Sequence, residues 1–153
     1  MQVFLPYFNL SESIRCLDKS RMGNQVWREA KTLINGGWKN HPAAKMWADY
    51  KPALAEYCLY GLEELFRRGW IRPEKVAPLE EYFYGIIERY GAVELPWWMT
   101  DREHFDRVVE SHRLNLLFKD PVYYSAFGWG SVPTSKPDYY WPVKSRKLAV
   151  SSF

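Results

Sequence analysis

The segment from Asp18 to Asn35, DKSRMGNQVWREAKTLIN, decides the fold of this chain and puts a carboxylate in an unexpected position. It opens on an acidic residue, contains no proline and is followed by the pair Gly36-Gly37, so it predicts one helix over 18–35. At about 100° per residue, one face of this helix carries a stripe expected to pack on the core. Its members are Met22, Val26, Glu29 and Leu33.

The basic and polar neighbours of Glu29 give its position two interpretations. Arg21, Gln25 and Arg28 line the adjoining edge of the same helix. Desolvation and nearby guanidinium groups act on a carboxylate in opposite directions, and carboxylates in such surroundings are frequent in active sites. Structural ion pairs that close a contact between two helices have the same pattern. The helix alone leaves both interpretations open.

Length and composition predict one helical domain over 1–153. The chain has 153 residues, of which 47% are hydrophobic and 25% are charged, enough for a substantial core. Cys16 and Cys58 have neither metal-ligand spacing nor a disulfide framework, which indicates a reducing compartment. Neither a run of 18 apolar residues nor a signal-peptide pattern occurs, so we expect a soluble cytoplasmic protein that does not act at a membrane.

The common catalytic motifs do not occur in the sequence. It has no Gly-rich phosphate loop, no HExxH, no paired CxxC and no Ser nucleophile elbow. The three histidines, at positions 41, 104 and 112, are too scattered to indicate a metal site. We therefore predict no metal and no cofactor.

Charge is distributed unevenly along the chain, whose net charge is +3. Residues 1–52 contain eight Lys/Arg against four Asp/Glu, residues 53–111 seven against twelve, and residues 112–153 six against two. If the two basic ends meet, they form a positive surface suited to phosphates; the alternative is an ordinary surface of mixed charge.

Aromatic residues make up 18% of the chain. Those in Pro- and Gly-rich loops have two interpretations: they stack on unpaired bases, or they fill the core between helices.

The pattern of apolar positions and breakers predicts an all-α fold, a single compact bundle of about five helices with an irregular, aromatic-rich C-terminal tail. Convincing strand alternation does not occur. Asn40 is expected to cap a helix that starts at Pro42, and Thr100 with Glu103 to form a capping box. The tail from Gly128 is expected to wrap over the helices. The predicted helices cover about 11–16, 18–35, 42–50, 52–68, 78–90 and 101–118, with a turn of helix at 121–126.

Several segments together resemble the pyrimidine-dimer DNA glycosylase (endonuclease V) family, particularly its compact bacterial and phage relatives. They are LPY followed by LDKSRMGNQ, the QVWREA element, GWKNHPAAKMW, RRGW, SHRLNLLFKDPVYY and YYWP. The resemblance spans most of the chain. It implies an all-α enzyme that flips a base out of DNA, attacks the sugar C1′ with its N-terminal amine, releases the base and nicks the strand by β-elimination.

The resemblance also implies roles for individual residues. Glu29 corresponds to the Glu that stabilises the sugar-derived cation and assists proton transfer, and Arg28 matches the Arg of the family's Arg-Glu pair. DNA is the implied partner, and no obligate protein partner is indicated. Residues expected to contact the DNA are Arg15, Lys19, Arg21, Gln25, Arg28, Asn40, His41, Lys45, His112, Arg113, Asn115 and Lys119.

The expected nucleophile is the amine of Met1. An amine must be neutral to attack a sugar carbon, and an α-amino group with a pKa of about 7.7–8.0 meets this need better than a lysine at about 10.4. The best-known enzyme of the family exposes a small residue after methionine removal, whereas Gln2 is large, so we expect Met1 to stay. Two alternatives are a non-catalytic DNA-binding protein and an enzyme that alters a base without cleaving the glycosidic bond.

Overall fold

The computed structural model describes residues 1–143, which form seven helices and no strand. The all-α prediction is therefore confirmed, although seven helices replace the expected five. The second helix, α2, has three consecutive parts: Lys19–Asn24, a π-helical turn at Gln25–Glu29, and Ala30–Ile34. The other helices are α1 (Leu10–Arg15), α3 (Pro42–Trp47), α4 (Lys51–Arg67), α5 (Pro73–Tyr90), α6 (Arg102–Lys119) and α7 (Pro121–Tyr124).

Side-chain caps fix where most of the helices that frame the site begin. Asp18 Oδ2 accepts from the Arg21 N–H and starts α2. Two of the predicted caps were wrong. His41 rather than Asn40 caps α3, because its Nδ1 accepts from the Ala43 N–H at 3.0 Å. Asp101 rather than Thr100 caps α6, and the Thr100 hydroxyl instead donates to the Trp97 carbonyl.

Helix α5 starts five residues earlier than its sequence suggested. We expected a start at Pro78, but Pro73 occupies the first turn and Pro78 lies inside the helix. A proline needs no N–H partner in the first turn, which explains Pro73, whereas Pro78 removes one hydrogen bond from the helix interior.

Helix α4 packs against α1, α2 and α5. Gly61 lies where α4 crosses the first two of these helices: a Cβ added there would lie 2.3 Å from Ile14 Cδ1 and 2.9 Å from Val26 Cγ2. The crossing is therefore possible because residue 61 has no side chain. Large side chains that are fully buried in this core include Trp47, Tyr57, Phe83, Trp98 and Tyr124.

The C-terminal tail packs back on the helices over its described part, as predicted. Tyr139, Tyr140 and Trp141 are partly buried against the core, and the Tyr140 N–H donates to Ser111 Oγ on α6. The rest of the predicted tail, 144–153, lies outside the described residues. Within 1–143, no helix combines the length and the apolar character that crossing a lipid bilayer requires.

Candidate active site

The π-helical turn in α2 moves Glu29 off the centre of the buried stripe. The Ala30 N–H bonds to the Gln25 carbonyl, five residues back, so this turn holds one residue more than an α-helical turn. Ala30, which is fully buried, continues the stripe after Val26. The Glu29 side chain is 13% exposed and lies at the edge of the core. Constant 100° spacing could not predict this shift, and π turns are frequent at functional sites.

An extended N-terminal segment, Gln2 to Pro6, runs through the interior and is held by α2 and α4. Gln25 binds it with both ends of its amide: Nε2 donates to the Gln2 carbonyl at 3.0 Å, and Oε1 accepts from the Phe4 N–H at 3.2 Å. The Tyr57 hydroxyl donates to the Phe4 carbonyl at 2.8 Å. These bonds satisfy backbone groups that would otherwise be buried without partners.

Helix α6 holds the same segment from another direction. His112 Nδ1 accepts from the Leu5 N–H at 2.8 Å, and Arg113 Nε donates to the Pro6 carbonyl at 2.6 Å. Burial lowers the pKa of His112 to about 3, so its ring is neutral and its Nδ1 is free to accept.

Three expected DNA contacts are therefore corrected. His112 and Asn115 are fully buried, and Gln25 is 2% exposed, so none of them presents a surface to a duplex. Asn115 Nδ2 instead donates to the Ser111 carbonyl within α6. Polar groups on an amphipathic helix can point inward when a buried backbone segment needs partners, and the sequence does not show where that segment runs. Gln25 and His112 position the N-terminal segment, whereas Asn115 bonds within its own helix.

The start of this segment opens into a cleft that also contains Glu29. Met1, Arg28 and Glu29 line two adjoining hollows of about 370 Å³ and 210 Å³. Together these volumes are in the range of small-ligand sites. Arg28 Nη2 lies 3.2 Å from Glu29 Oε1, and the Arg28 side chain is 67% exposed, so a guanidinium lies at the mouth of the cleft.

His41 lies near the Met1 amine and the Glu29 carboxylate. Burial lowers its pKa below the usual value, the positive amino terminus of Met1 acts in the same direction, and Glu29 opposes it. The imidazole meets Trp38 edge-on with 6.0 Å between ring centroids and meets Trp141 edge-on at 5.6 Å. The tail therefore approaches the cleft from the side of α3.

Basic residues from both ends of the chain meet at this cleft. Arg21 and Lys119 line the smaller hollow. Burial lowers the pKa of Lys119, and the nearby charges of Lys136 and Arg21 lower it further. A lysine whose neighbours disfavour its own charge lies in a positive field, which is a suitable environment for a phosphate.

The other expected contacts lie outside the two hollows. Arg15 pairs with Glu63 at 3.5 Å and lies over the Tyr60 ring, away from the cleft lining. Lys19, Asn40 and Lys45 are exposed and line neither hollow. Among residues 1–143 there is no group of three or more His, Cys, Asp or Glu that could hold a metal ion.

Sequence reasoning missed several residues that line the cleft: Asn24, Thr32, Trp38 and Tyr139. Only Trp38 had a usable signal, since it directly follows the glycine pair that ends α2. A bulky aromatic residue in a glycine turn is expected near the surface. Tyr139 depends on the path of an irregular tail, which no periodicity reveals.

The helical fold presents a cation-lined cleft beside the amino terminus, which is the electrostatic pattern typical of a nucleic-acid-binding protein. The chain belongs to the pyrimidine dimer DNA glycosylase family, whose model matches residues 1–77. The match covers Met1, Arg28, Glu29 and His41 and ends early in α5. The general function of the protein is therefore that of a DNA glycosylase, with DNA as substrate. No curated protein and no solved structure matches the chain.

Proposed function

We propose that this protein excises a damaged or modified pyrimidine from duplex DNA, with the Met1 amine as nucleophile and Glu29 as the assisting carboxylate. The observation that carries the proposal is that Met1, Arg28 and Glu29 line one cleft. Base flipping would bring the sugar of the extruded nucleotide to this cleft.

In the proposed reaction the lone pair of the neutral amine attacks C1′, and the glycosidic bond breaks with its electron pair leaving on the base. The base takes up a proton, and the sugar nitrogen loses one. Opening of the sugar ring then moves a proton to O4′ and leaves a Schiff base. The Glu29 carboxylate stabilises the positive charge that develops at the sugar and assists these proton transfers.

Strand cleavage is the second proposed step. The Schiff base acidifies the protons at C2′, so removal of one of them allows the C3′–O3′ bond to break by β-elimination. Water then releases the sugar fragment and regenerates the amine. Three basic residues line the smaller hollow, Arg21, Arg28 and Lys119, and the charge of Lys136 acts on Lys119. These four residues are proposed to bind the flanking phosphates, which positions the DNA without reading its sequence.

The location we propose is the cytoplasm, where the free thiols of Cys16 and Cys58 would stay reduced.

Borohydride trapping tests the proposal directly. The protein is incubated with duplexes that contain an abasic site or a thymine dimer, reduced, and mapped by mass spectrometry. We expect a covalent adduct on the amino group of the first residue, which the same measurement identifies. Glu29→Gln should slow base release by about 10²–10⁴-fold, the range of general acid–base catalysis. Lys19→Ala and Lys45→Ala serve as controls and should trap normally.

An adduct on a lysine would overturn the assignment of the nucleophile. Base release that Glu29→Gln leaves unchanged would overturn the assignment of the carboxylate. Salt-sensitive DNA binding with no adduct and no released base would favour the non-catalytic alternative, because phosphate contacts alone account for such binding.

A further inference from the structure

Trp38 has a backbone conformation and an exposure that its packing does not explain. Its φ of 56° is the only positive value at a non-glycine residue in 1–143. Large L-residues rarely adopt this left-handed conformation, and strain of this kind concentrates at functional sites. The residue is nevertheless 60% exposed, so its burial does not compensate for the strain.

The loop around Trp38 is held at both ends. The Gly37 N–H donates to the Thr32 carbonyl at 2.8 Å, and a Cβ on Gly37 would lie 2.7 Å from Thr32 Cγ2. On the other side, the His41 N–H donates to the Trp38 carbonyl at 2.8 Å. These contacts fix the backbone on each side of Trp38 and keep the indole at the surface.

The fixed indole lies at the candidate site. Trp38 lines the larger hollow together with Met1, Arg28 and Glu29. His41 contacts it with 6.0 Å between ring centroids, and Trp38 remains 60% exposed beside this contact. A rigid aromatic surface next to a cation and a reactive amine has the features of a platform for an unpaired base.

We propose that Trp38 stacks on a nucleobase that has left the helical stack, and so positions the nucleotide beside Met1 and Glu29. This inference rests on the proposed function, because it assumes that DNA occupies the cleft. It adds a residue whose role is recognition: the indole would favour DNA that presents an unpaired base over fully paired DNA.

Equilibrium binding to two duplexes tests this proposal. One duplex carries a single bulged thymine and the other is fully paired; both are measured in the Glu29→Gln background, which suppresses turnover. Stacking on one base predicts that Trp38→Ala weakens binding to the bulged duplex about tenfold and changes binding to the paired duplex less than about twofold. Trp38→Phe, which keeps a stacking ring, should restore most of the affinity.

Trp38→Gly separates recognition from folding. Glycine adopts positive φ without strain, so this variant should unfold at a higher temperature than the parent protein and still bind the bulged duplex as weakly as Trp38→Ala. Phe66→Ala, at another exposed aromatic residue outside the cleft, should leave both affinities unchanged.

Equal affinity of the parent protein for the two duplexes would overturn the inference, as would equal loss on both in Trp38→Ala. Neither result depends on adduct formation. A protein that traps no sugar can still show stacking by Trp38, and a protein that traps normally can fail this test, so the two proposals are distinguishable.

Discussion

Single polar residues that face inward hold the N-terminal segment of the proposed catalytic site in place. Gln25 and His112 lie on two different helices, yet each places its hydrogen-bonding atoms on the buried segment that begins at Met1. Replacing either side chain with an apolar one would leave backbone groups unpaired in the core, which costs about 1–3 kcal/mol for each group. Both residues therefore affect the position of the amine without touching DNA.

His112 should make stability depend on pH. Its folded-state pKa of about 3 lies below the usual value, so between these two values the unfolded chain binds a proton that the folded chain does not. The stability it contributes is complete above about pH 6.5 and is lost as pH falls, by up to about 1.4 kcal/mol per pH unit. In His112→Asn, Oδ1 can still accept from Leu5 but does not titrate, so urea unfolding should depend less steeply on pH.

The difference in stability between the parent protein and His112→Asn isolates the effect of His112. Arg67 and Arg68 hold the pKa of Glu64 below its usual value, so this carboxylate also loses stabilising contacts in acid. Because Glu64 is present in both proteins, its effect cancels in the difference. Parallel stability curves from about pH 7 to about pH 5 would show that the buried imidazole is not responsible.

Gln25 should be required for adduct formation through its hold on the N-terminal segment. Gln25→Leu leaves the Phe4 N–H and the Gln2 carbonyl without partners and should destabilise the fold by about 2 kcal/mol or more. Trapping at a temperature where the protein is folded should also slow, because Met1 is no longer fixed. Leu62→Ala is the matched control: it should destabilise by about 2–5 kcal/mol and still trap at the normal rate.

At the scale of elements, the sequence predicted what depends on local periodicity and missed what depends on contact between elements. Helix α4 and the end of α2 at the glycine pair were predicted closely because caps and apolar spacing are local signals. The π turn, in which the Ala30 N–H bonds to the Gln25 carbonyl, was not predicted, since a constant spacing of 100° per residue assumes an α-helix throughout. The predicted start of α5 was wrong because a proline inside a helix is unusual, so Pro78 was placed at the start of the helix rather than in its interior.

Two helical glycines should respond in opposite ways to replacement by alanine, because only Gly61 lies where α4 crosses α1 and α2. Gly61→Ala places a methyl group against Ile14 and Val26, and overpacking of about 1–3 kcal/mol should exceed the gain in helix propensity. Gly85→Ala in α5 meets nothing within 4 Å and should stabilise the protein by about 0.5–1 kcal/mol. Thermal unfolding of the two variants provides the measurement. A stabilised Gly61→Ala would mean that the helices separate at no cost.

At the scale of the whole molecule, charge divides the surface into regions of opposite sign. The hollow beside Met1 is lined by Arg21, Arg28 and Lys119, with Glu29 as its acidic residue. A larger groove of about 530 Å³ between α4 and α5 is lined by three glutamates and, among its lining residues, no lysine or arginine. The uneven charge along the sequence predicted this separation in general terms, but the meeting of Arg21 and Arg28 with Lys119 at one cleft depends on the fold.

This separation predicts how salt should weaken DNA binding. Each phosphate contact that releases a counterion contributes about 0.9 to the slope of log K against log salt concentration, so Lys119→Gln and Lys136→Gln should each lower the slope by about that amount. Lys75→Gln, which removes an exposed lysine from the first turn of α5, removes the same net charge away from the cleft and should leave the slope unchanged. If all three variants lowered the slope equally, net charge alone would control binding, and the cleft would lose its electrostatic role. A slope reduced only in Lys119→Gln and Lys136→Gln would place the phosphates on the side of the cleft where Lys119 lies.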